Sequence, residues 1–339
     1  MKLAVVILNY NGQEFLKAFL AGVCHHSSIE AVEVVVADNA STDDSLAFLA
    51  ANFPRVRVIA LPQNYGFSKG YNEALKQIEA QYYVLLNSDV EVSVRWIQPI
   101  LSLLETHPEV GAAQPKIMAY AQKTHFEYAG ASGGYLDALG YPYCRGRLFD
   151  TCEPDQGQYD EPTEVFWATG ACLFVRASLY HQLGGLDDDF FAHMEEIDFC
   201  WRLKNAGHKL WVVPQSVVYH VGGGTLNKIN PRKTFLNFRN NLMMLHKNLP
   251  ASYLFCVIFA RLCLDGLAGL QFLAKRQWAH CWAIVKAHWA YYAAWPSLQS
   301  KRKAIKLFKK HEAYAETKPI SIIWQYFFRK RKHFSDIKF

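Results

Sequence analysis

"LAVVILNYNG", residues 3–12, runs through six apolar residues without a polar break and turns at once into Asn9, Tyr10, Asn11 and Gly12. A strand with one wet face would alternate apolar and polar positions, whereas an unbroken β-branched run suits a strand covered on both faces. The same signature recurs at 32–37 (VEVVVA), 56–61 (VRVIAL) and 82–87 (YYVLLN), each followed by a segment of helical character. This alternation predicts an α/β fold built on a doubly wound, mostly parallel sheet. Ligands of such sheets sit outside the carboxyl ends of the strands, so the residues that follow each run are site candidates. They are Asn9 and Asn11 after the first run, Asp38, Asn39, Ser41, Thr42 and Asp43 after the second, PQNYGFSKGYNEAL (62–75) after the third and NSDVE (87–91) after the fourth. Asn, Asp, Gly and Ser are also ordinary loop formers, and Ser41 or Thr42 could simply cap a helix. Four polar loops in series at one sheet edge outweigh that reading. No G-x-G-x-x-G follows the first strand, which argues against a nicotinamide or flavin dinucleotide.

The chain of 339 residues can hold one large α/β domain and an appendage, and its 51% hydrophobic and 19% charged residues exclude wholesale disorder. Eight cysteines occur without a CxxC, which favours a reduced, cytoplasmic compartment over a disulfide framework or a zinc knuckle. The apolar run of six before Asn9 is too short for a secretory signal core. Charge is uneven: from residue 301 onward 12 Lys/Arg face 3 Asp/Glu, a balance of +9, leaving 24 minus 27, or −3, for the first 300 residues. Basicity is a property of the tail, so no nucleic-acid partner is expected.

A second stretch concentrates chemistry. FFAHMEEIDFCWRL (190–203) leads an apolar run into Glu195, Glu196 and Asp198 at a helix start. Acids in a first turn are favoured by the helix dipole alone. On a helix Glu195 and Asp198 share a face while Glu196 projects about 100° away from Glu195, so the three cannot all do one job. Asp198 also stands four residues before Arg202.

VVILNYNG (5–12), VVVADNASTDDS (34–45), PQNYGFSKGYNEAL (62–75), YYVLLNSDVE (82–91), FWATGACLFVRASLYHQLGGLDDDFF (166–191), MEEIDFCWRLKNAGHKLWVVP (194–214) and VYHVGGGT (218–225) keep both order and spacing. Over residues 1 to about 248 the chain resembles family 2 glycosyltransferases, especially their rhamnosyltransferase-like branch. The resemblance implies a GT-A nucleotide-sugar-binding fold, inverting transfer of a hexosyl or deoxyhexosyl group from a UDP- or dTDP-sugar to a glycan or lipid-linked acceptor, and Mg²⁺ or Mn²⁺. It implies that Asp38 accepts the imino hydrogen of a pyrimidine base, a role that competes with capping a loop. Gly66 and Gly70 would let the backbone approach a ligand, with Lys69 available to a phosphate, although an ordinary loop-to-helix junction explains them nearly as well. Asp89 corresponds to the metal-binding acid of the family's Asp-x-Asp. Asn87, where that pattern has an acid, is read as touching the sugar. His220 matches the histidine that completes the metal site, followed by Gly222, Gly223 and Gly224. Glu196 takes the position of the catalytic base, one methylene longer than the family's aspartate, with Glu195 preceding it. The segment containing Trp167 and Gly170 is read as a strand edge facing donor and acceptor, Trp167 being either an aromatic platform or a core residue. No role is assigned within 119–163.

Residues 1–248 are therefore read as the catalytic domain and 249–339 as a helical, basic extension. Arg261 and Asp265 interrupt the apolar stretch after 250, so no membrane span is expected there. The aromatic residues Trp278, Trp282, Trp289, Tyr291, Tyr292 and Trp295 and the basic clusters 301–310 and 329–332 imply a peripheral contact with the inner face of the cytoplasmic membrane. The competing reading is a catalytically idle nucleotide-sugar or membrane-surface binding module, against which intact Asp89, Glu196 and His220 count. A nucleotidyltransferase would need a basic triphosphate cradle that NYNGQEF (9–15) lacks.

Overall fold

A computed structural model describes residues 1–222 and 230–337. The four apolar runs form β1 (Leu3–Asn9), β2 (Val32–Asp38), β3 (Arg57–Ala60) and β4 (Tyr82–Asn87), joined by α1 (Gln13–His26), α2 (Ser45–Asn52) and α3 (Gly66–Leu75). They pair in parallel in the order β3-β2-β1-β4. Alternate residues of β1 feed two separate cores: Ala4 and Val6 pack on one side of the sheet, Leu3, Val5 and Ile7 on the other. That is the double coverage an unbroken apolar run requires.

Beyond β4 the sheet becomes mixed. The chain continues through β5 (Val90–Val92), α4 (Gln98–Thr106) and β6 (Val110–Ala119). A smaller sheet then takes β7 (Gly134–Asp137), β8 (Pro142–Cys144), β9 (Arg147–Leu148) and β10 (Thr151–Cys152). Next come β11 (Thr163–Val165), β12 (Cys172–Arg176), α5 (Ala177–Gln182), α6 (Glu195–Asn205) and β13 (Lys209–His220). Among the described residues the main sheet has nine strands in the order β11-β13-β6-β12-β4-β1-β2-β3, with β5 on β13, and β12 is antiparallel to both β4 and β6. A doubly wound parallel half, as the runs predict, is thus extended by a mixed half. Register aligns Asn9 with Asp38 and Leu8 with Asn87, so the polar residues after β1, β2 and β4 share one edge.

Four helices follow: α7 (Pro231–Asn248), α8 (Ala251–Ala274), α9 (Trp278–Ala293) and α10 (Trp295–Lys306). The chain after them returns to the small sheet. There β14 (Thr317–Lys318) pairs with β7, and the Ile322 amide donates to Asp137 Oδ2 at 2.9 Å. The C-terminal region is packed on the preceding one through buried polar contacts, among them Arg302 donating to the His246 carbonyl at 2.7 Å.

Candidate active site

At the shared edge, three loops are tied together by side-chain amides. Asn9 donates to Asp38 Oδ2 at 3.0 Å, and Asp38 Oδ1 accepts the Ser41 amide at 2.8 Å. Asp38 is fully buried, so its carboxylate already closes the loop that the sequence assigned to a base. Asn11 accepts the Thr42 amide at 2.7 Å. Asn39 bridges to the third loop, donating to the Gly66 carbonyl at 3.0 Å and accepting the Tyr65 amide at 3.0 Å. Gly66 has φ +76°, and a Cβ there would lie 2.5 Å from the Phe191 ring. The close approach expected at Gly66 is therefore made by an aromatic ring of the protein itself. Lys69 stands with its ammonium 4.9 Å from the centre of the Tyr65 ring.

The carboxylates of α6 divide as helical geometry demands. Asp198 faces inward, fully buried, and pairs with Arg202 Nε at 2.9 Å and Lys247 Nζ at 2.9 Å while accepting Asn248 Nδ2 at 2.9 Å. Its work is structural. Glu195 is 4% exposed and Glu196 is half-buried, and one carboxylate oxygen of each lacks a hydrogen-bond partner. A buried carboxylate oxygen without a donor is costly. Burial raises both groups: Glu196 is pushed up to about 7, and Glu195, deeper and facing the Glu196 charge, goes well above the ordinary carboxyl range. Of the two, Glu195 is held more strongly toward its protonated form. Gly170 lies beside Glu196: a Cβ there would meet the Phe67 ring at 3.4 Å and the Glu196 Cβ at 3.5 Å, both ordinary contact distances.

The turn that delivers Glu195 and Glu196 is strained. Phe191, His193 and Met194 all adopt positive φ, at 65°, 70° and 73°. Left-handed backbone costs each non-glycine residue on the order of 1 kcal/mol and survives only where neighbours fix it. The clamp is Asn240 of α7, whose Nδ2 reaches the carbonyls of Phe190 (3.0 Å), Ala192 (2.9 Å) and His193 (2.8 Å). Arg239 adds a bond to the Asp189 carbonyl at 2.8 Å. Sequence reasoning missed Asn240. Its signal was a pair of asparagines inside an otherwise helical run, FRNNLMML (238–245), where amides are unfavourable unless they bond elsewhere.

At the end of β4, Asp89 is 7% exposed and its Oδ1 lies 3.2 Å from His220 Nε2, with the Asn87 amide nitrogen 3.4 Å from the same ring atom. On the far side of the ring, Nδ1 is 3.1 Å from Glu127 Oε2. Burial alone would lower His220, but the Asp89 and Glu127 carboxylates reverse this and push it up to about 10. The two carboxylates thus favour the protonated imidazole, and a metal ion would take Nε2 only once that proton has left. A carboxylate and an imidazole nitrogen facing one another form a donor set that suits Mn²⁺ or Mg²⁺ in part, because such ions keep further positions for waters and phosphate oxygens. Among the described residues no group of three His, Cys, Asp or Glu side chains is arranged to hold a metal ion. Glu127, within the irregular stretch 119–163, is the second residue that sequence reasoning missed; its carboxylate faces His220 Nδ1 and fixes the orientation of the ring. Gly223 and Gly224 lie outside the described residues. Trp167 is 3% exposed with Nε1 donating to the Tyr135 carbonyl at 3.0 Å, so of its two readings the structure shows the core residue.

The family model "Glycosyl transferase family 2" matches residues 4–184. An N-acetylglucosaminyl-diphospho-decaprenol L-rhamnosyltransferase of Mycobacterium tuberculosis is 27% identical over 234 residues, covering 64% of this chain and 75% of that protein. Among solved structures, GalNAc-T7 with UDP, GalNAc and Mn²⁺ superposes with a TM-score of 0.57 at 16% identity, over 73% of this chain and 48% of that one. Residues 1–349 of TarS from S. aureus, in complex with UDP, give 0.53 at 16% identity, over 91% and 89%. The chain thus spans about half the length of the first of these structures. The likeness establishes the GT-A architecture.

Proposed function

This chain belongs to glycosyl transferase family 2, and we propose that it moves a hexosyl or deoxyhexosyl group, with inversion, from a UDP- or dTDP-sugar to a hydroxyl of a lipid-linked or surface-glycan acceptor. Residues 1–248 are the catalytic domain in this reading and 249–339 a helical extension that keeps the enzyme at the cytoplasmic face of a membrane. The lipid-diphosphate acceptor named for the mycobacterial relative supports that choice of acceptor.

The observation that carries the mechanism is the half-buried Glu196 carboxylate, with an unpartnered oxygen and an affinity for protons raised to about 7. An acceptor hydroxyl is a poor nucleophile until a base takes its proton. Glu196 accepts that proton as the acceptor oxygen attacks the anomeric carbon. The bond from that carbon to the diphosphate oxygen breaks on the opposite face, and the diphosphate leaves with the electron pair. Burial and the Glu196 charge favour the protonated form of Glu195, which limits negative charge at that spot, and the Asn240 clamp holds the turn in its strained form. Asn9, Asn11, Asp38, Asn39, Gly66 and Lys69 line the nucleotide side, with Asn87 and Gly170 toward the sugar. Asp89 and His220 would hold Mg²⁺ or Mn²⁺, which when bound supplies positive charge against the diphosphate. Glu127 orients His220 from behind.

The pH dependence of kcat/KM tests the base. Glu196 accepts a proton only when ionised, so the rate rises with pH through a limb near 7 and levels off above it. A profile already flat from about pH 5 upward would return Glu196 to a structural role.

A further inference from the structure

We propose that the α8–α9 hairpin is a bilayer-seating surface whose turn abuts the elements that shape the active-site mouth, so that a lipid-borne acceptor reaches Glu196 from the membrane on which the hairpin rests. The acceptor part of this statement rests on the lipid-linked reading above; the membrane part rests on the surface itself.

Helix α8 carries two charged residues, and both are turned inward. Arg261 is 3% exposed, donates to the Leu139 carbonyl at 3.1 Å and places its guanidinium 3.5 Å from the centre of the Tyr141 ring. Asp265 is 1% exposed and lies 3.1 Å from His288 Nε2 of α9. The two residues that break the apolar run in sequence are therefore absorbed by the protein side, and the outer face of α8 is left without a charge. Phe255 (79% exposed), Phe259 (60%), Leu267 (61%) and Leu270 (62%) stand on it. The helix has 24 residues and a mean hydropathy of 1.8 over its most apolar window. At 1.5 Å per residue it presents this face for about 36 Å.

Helix α9 extends the same surface. Trp278, Trp282, Trp289 and Tyr292 fall at spacings that share one helical stripe, and all four are exposed. Single apolar side chains on a surface are ordinary, but a line of exposed apolar and aromatic side chains along one face of each of two helices packed side by side marks an interaction site. Indole and phenol groups favour the boundary between headgroups and acyl chains, where one end is apolar and the other wet. Exposed Lys275 and Arg276 sit at the turn between the helices, and exposed Lys286 lies beside the tryptophan stripe. Long cationic side chains at such positions reach lipid phosphates while their stems stay in the apolar layer. An uncharged helix face edged by indoles and cations fits a bilayer boundary better than it fits another protein surface.

In the basic tail, Lys301 is paired with Asp187 and, at 2.6 Å, with Asp189, Arg302 is buried and Lys332 lies 3.4 Å from the centre of the Tyr326 ring, while Lys303, Lys306, Lys310, Arg329 and Lys330 are exposed and can add charge attraction to an anionic surface. The hairpin adjoins the site. His280 of α9 is 2.8 Å from Thr234 Oγ1 in the first turns of α7, and it stacks on Phe272 of α8. Arg232 of the same α7 turn stands 4.7 Å from the centre of the Phe191 ring, the ring that packs against Gly66 and opens the turn leading to Glu195 and Glu196.

The test uses full-length protein and phosphatidylcholine vesicles with brominated acyl chains, with and without an anionic lipid. The expected result is co-sedimentation that survives high salt, with quenching of tryptophan fluorescence by the bromines. Combined Trp278→Ser, Trp282→Ser and Trp289→Ser should weaken binding at least tenfold while transfer to a water-soluble acceptor analogue persists. Phe255→Ser with Phe259→Ser, a pair on the other helix, should do the same and guards against a local folding defect. Three results would overturn the proposal: no vesicle binding, binding that salt releases fully, or a lipid-independent dimer that the same substitutions dissociate. Intact vesicle binding with no transfer to any lipid-diphosphate acceptor would instead remove the lipid-linked reading and leave the seat standing.

Discussion

Glu196→Gln is expected to lower transfer by about 10² to 10⁴, the range for loss of a general base, while nucleotide-sugar binding stays within about twofold of the parent. The amide matches the carboxylate in shape but cannot take a proton. Glutamine also removes the charge facing Glu195, which is raised partly by that charge, so the turn should be no less stable than before. The two effects separate a base from a structural acid, because Asp198→Asn would instead strip an inward carboxylate from Arg202 and Lys247 and cost stability. Single-turnover transfer beside thermal unfolding decides it. Parent-like turnover in the Glu196→Gln variant takes the residue out of the chemistry.

Chelation carries the second large effect. EDTA should abolish transfer, and His220→Ala should raise the Mn²⁺ concentration needed for half-maximal rate by at least tenfold, because a ligand is lost beside an Asn-Ser-Asp run that contributes a single carboxylate. Glu127→Gln should shift the same Mn²⁺ requirement by less than His220→Ala does, since it only loosens the ring that His220 presents. Mn²⁺ binding measured with UDP, independent of turnover, gives the same ranking. Unchanged metal dependence in His220→Ala would leave the histidine a buried partner of Asp89 and nothing more.

The parallel half of the fold was legible because apolar runs long enough to be covered on both faces leave few alternatives, and β1 to β4 fall on the four runs. The mixed half was not. Strands β12 and β13 carry comparable runs, but the antiparallel return of β12 between β4 and β6 depends on pairing across a long stretch of chain, which local periodicity does not encode. At the proposed site, motif spacing singled out Glu196, Asp89 and His220 as candidates. The residues that hold them were invisible for a shared reason. Glu127 meets His220 across 93 positions of chain (220 minus 127), and Asn240 meets the carbonyls of Phe190, Ala192 and His193, in the turn before Glu196, across 50, 48 and 47; their own neighbourhoods look like loop and helix. The orientation of Arg261 and Asp265 was equally out of reach: read in a line they interrupt an apolar helix, and folded they both face the protein.

The configuration of the product at its anomeric carbon tests the central claim most directly. Full-length protein is incubated with Mn²⁺, an acceptor and a panel of UDP-, dTDP- and GDP-sugars, and the product of the active donor is read by proton NMR. A single displacement assisted by one base predicts an anomeric configuration opposite to that of the donor. Retention would mean two successive displacements or a front-face mechanism, and Glu196 could not then be the base of a single inverting step.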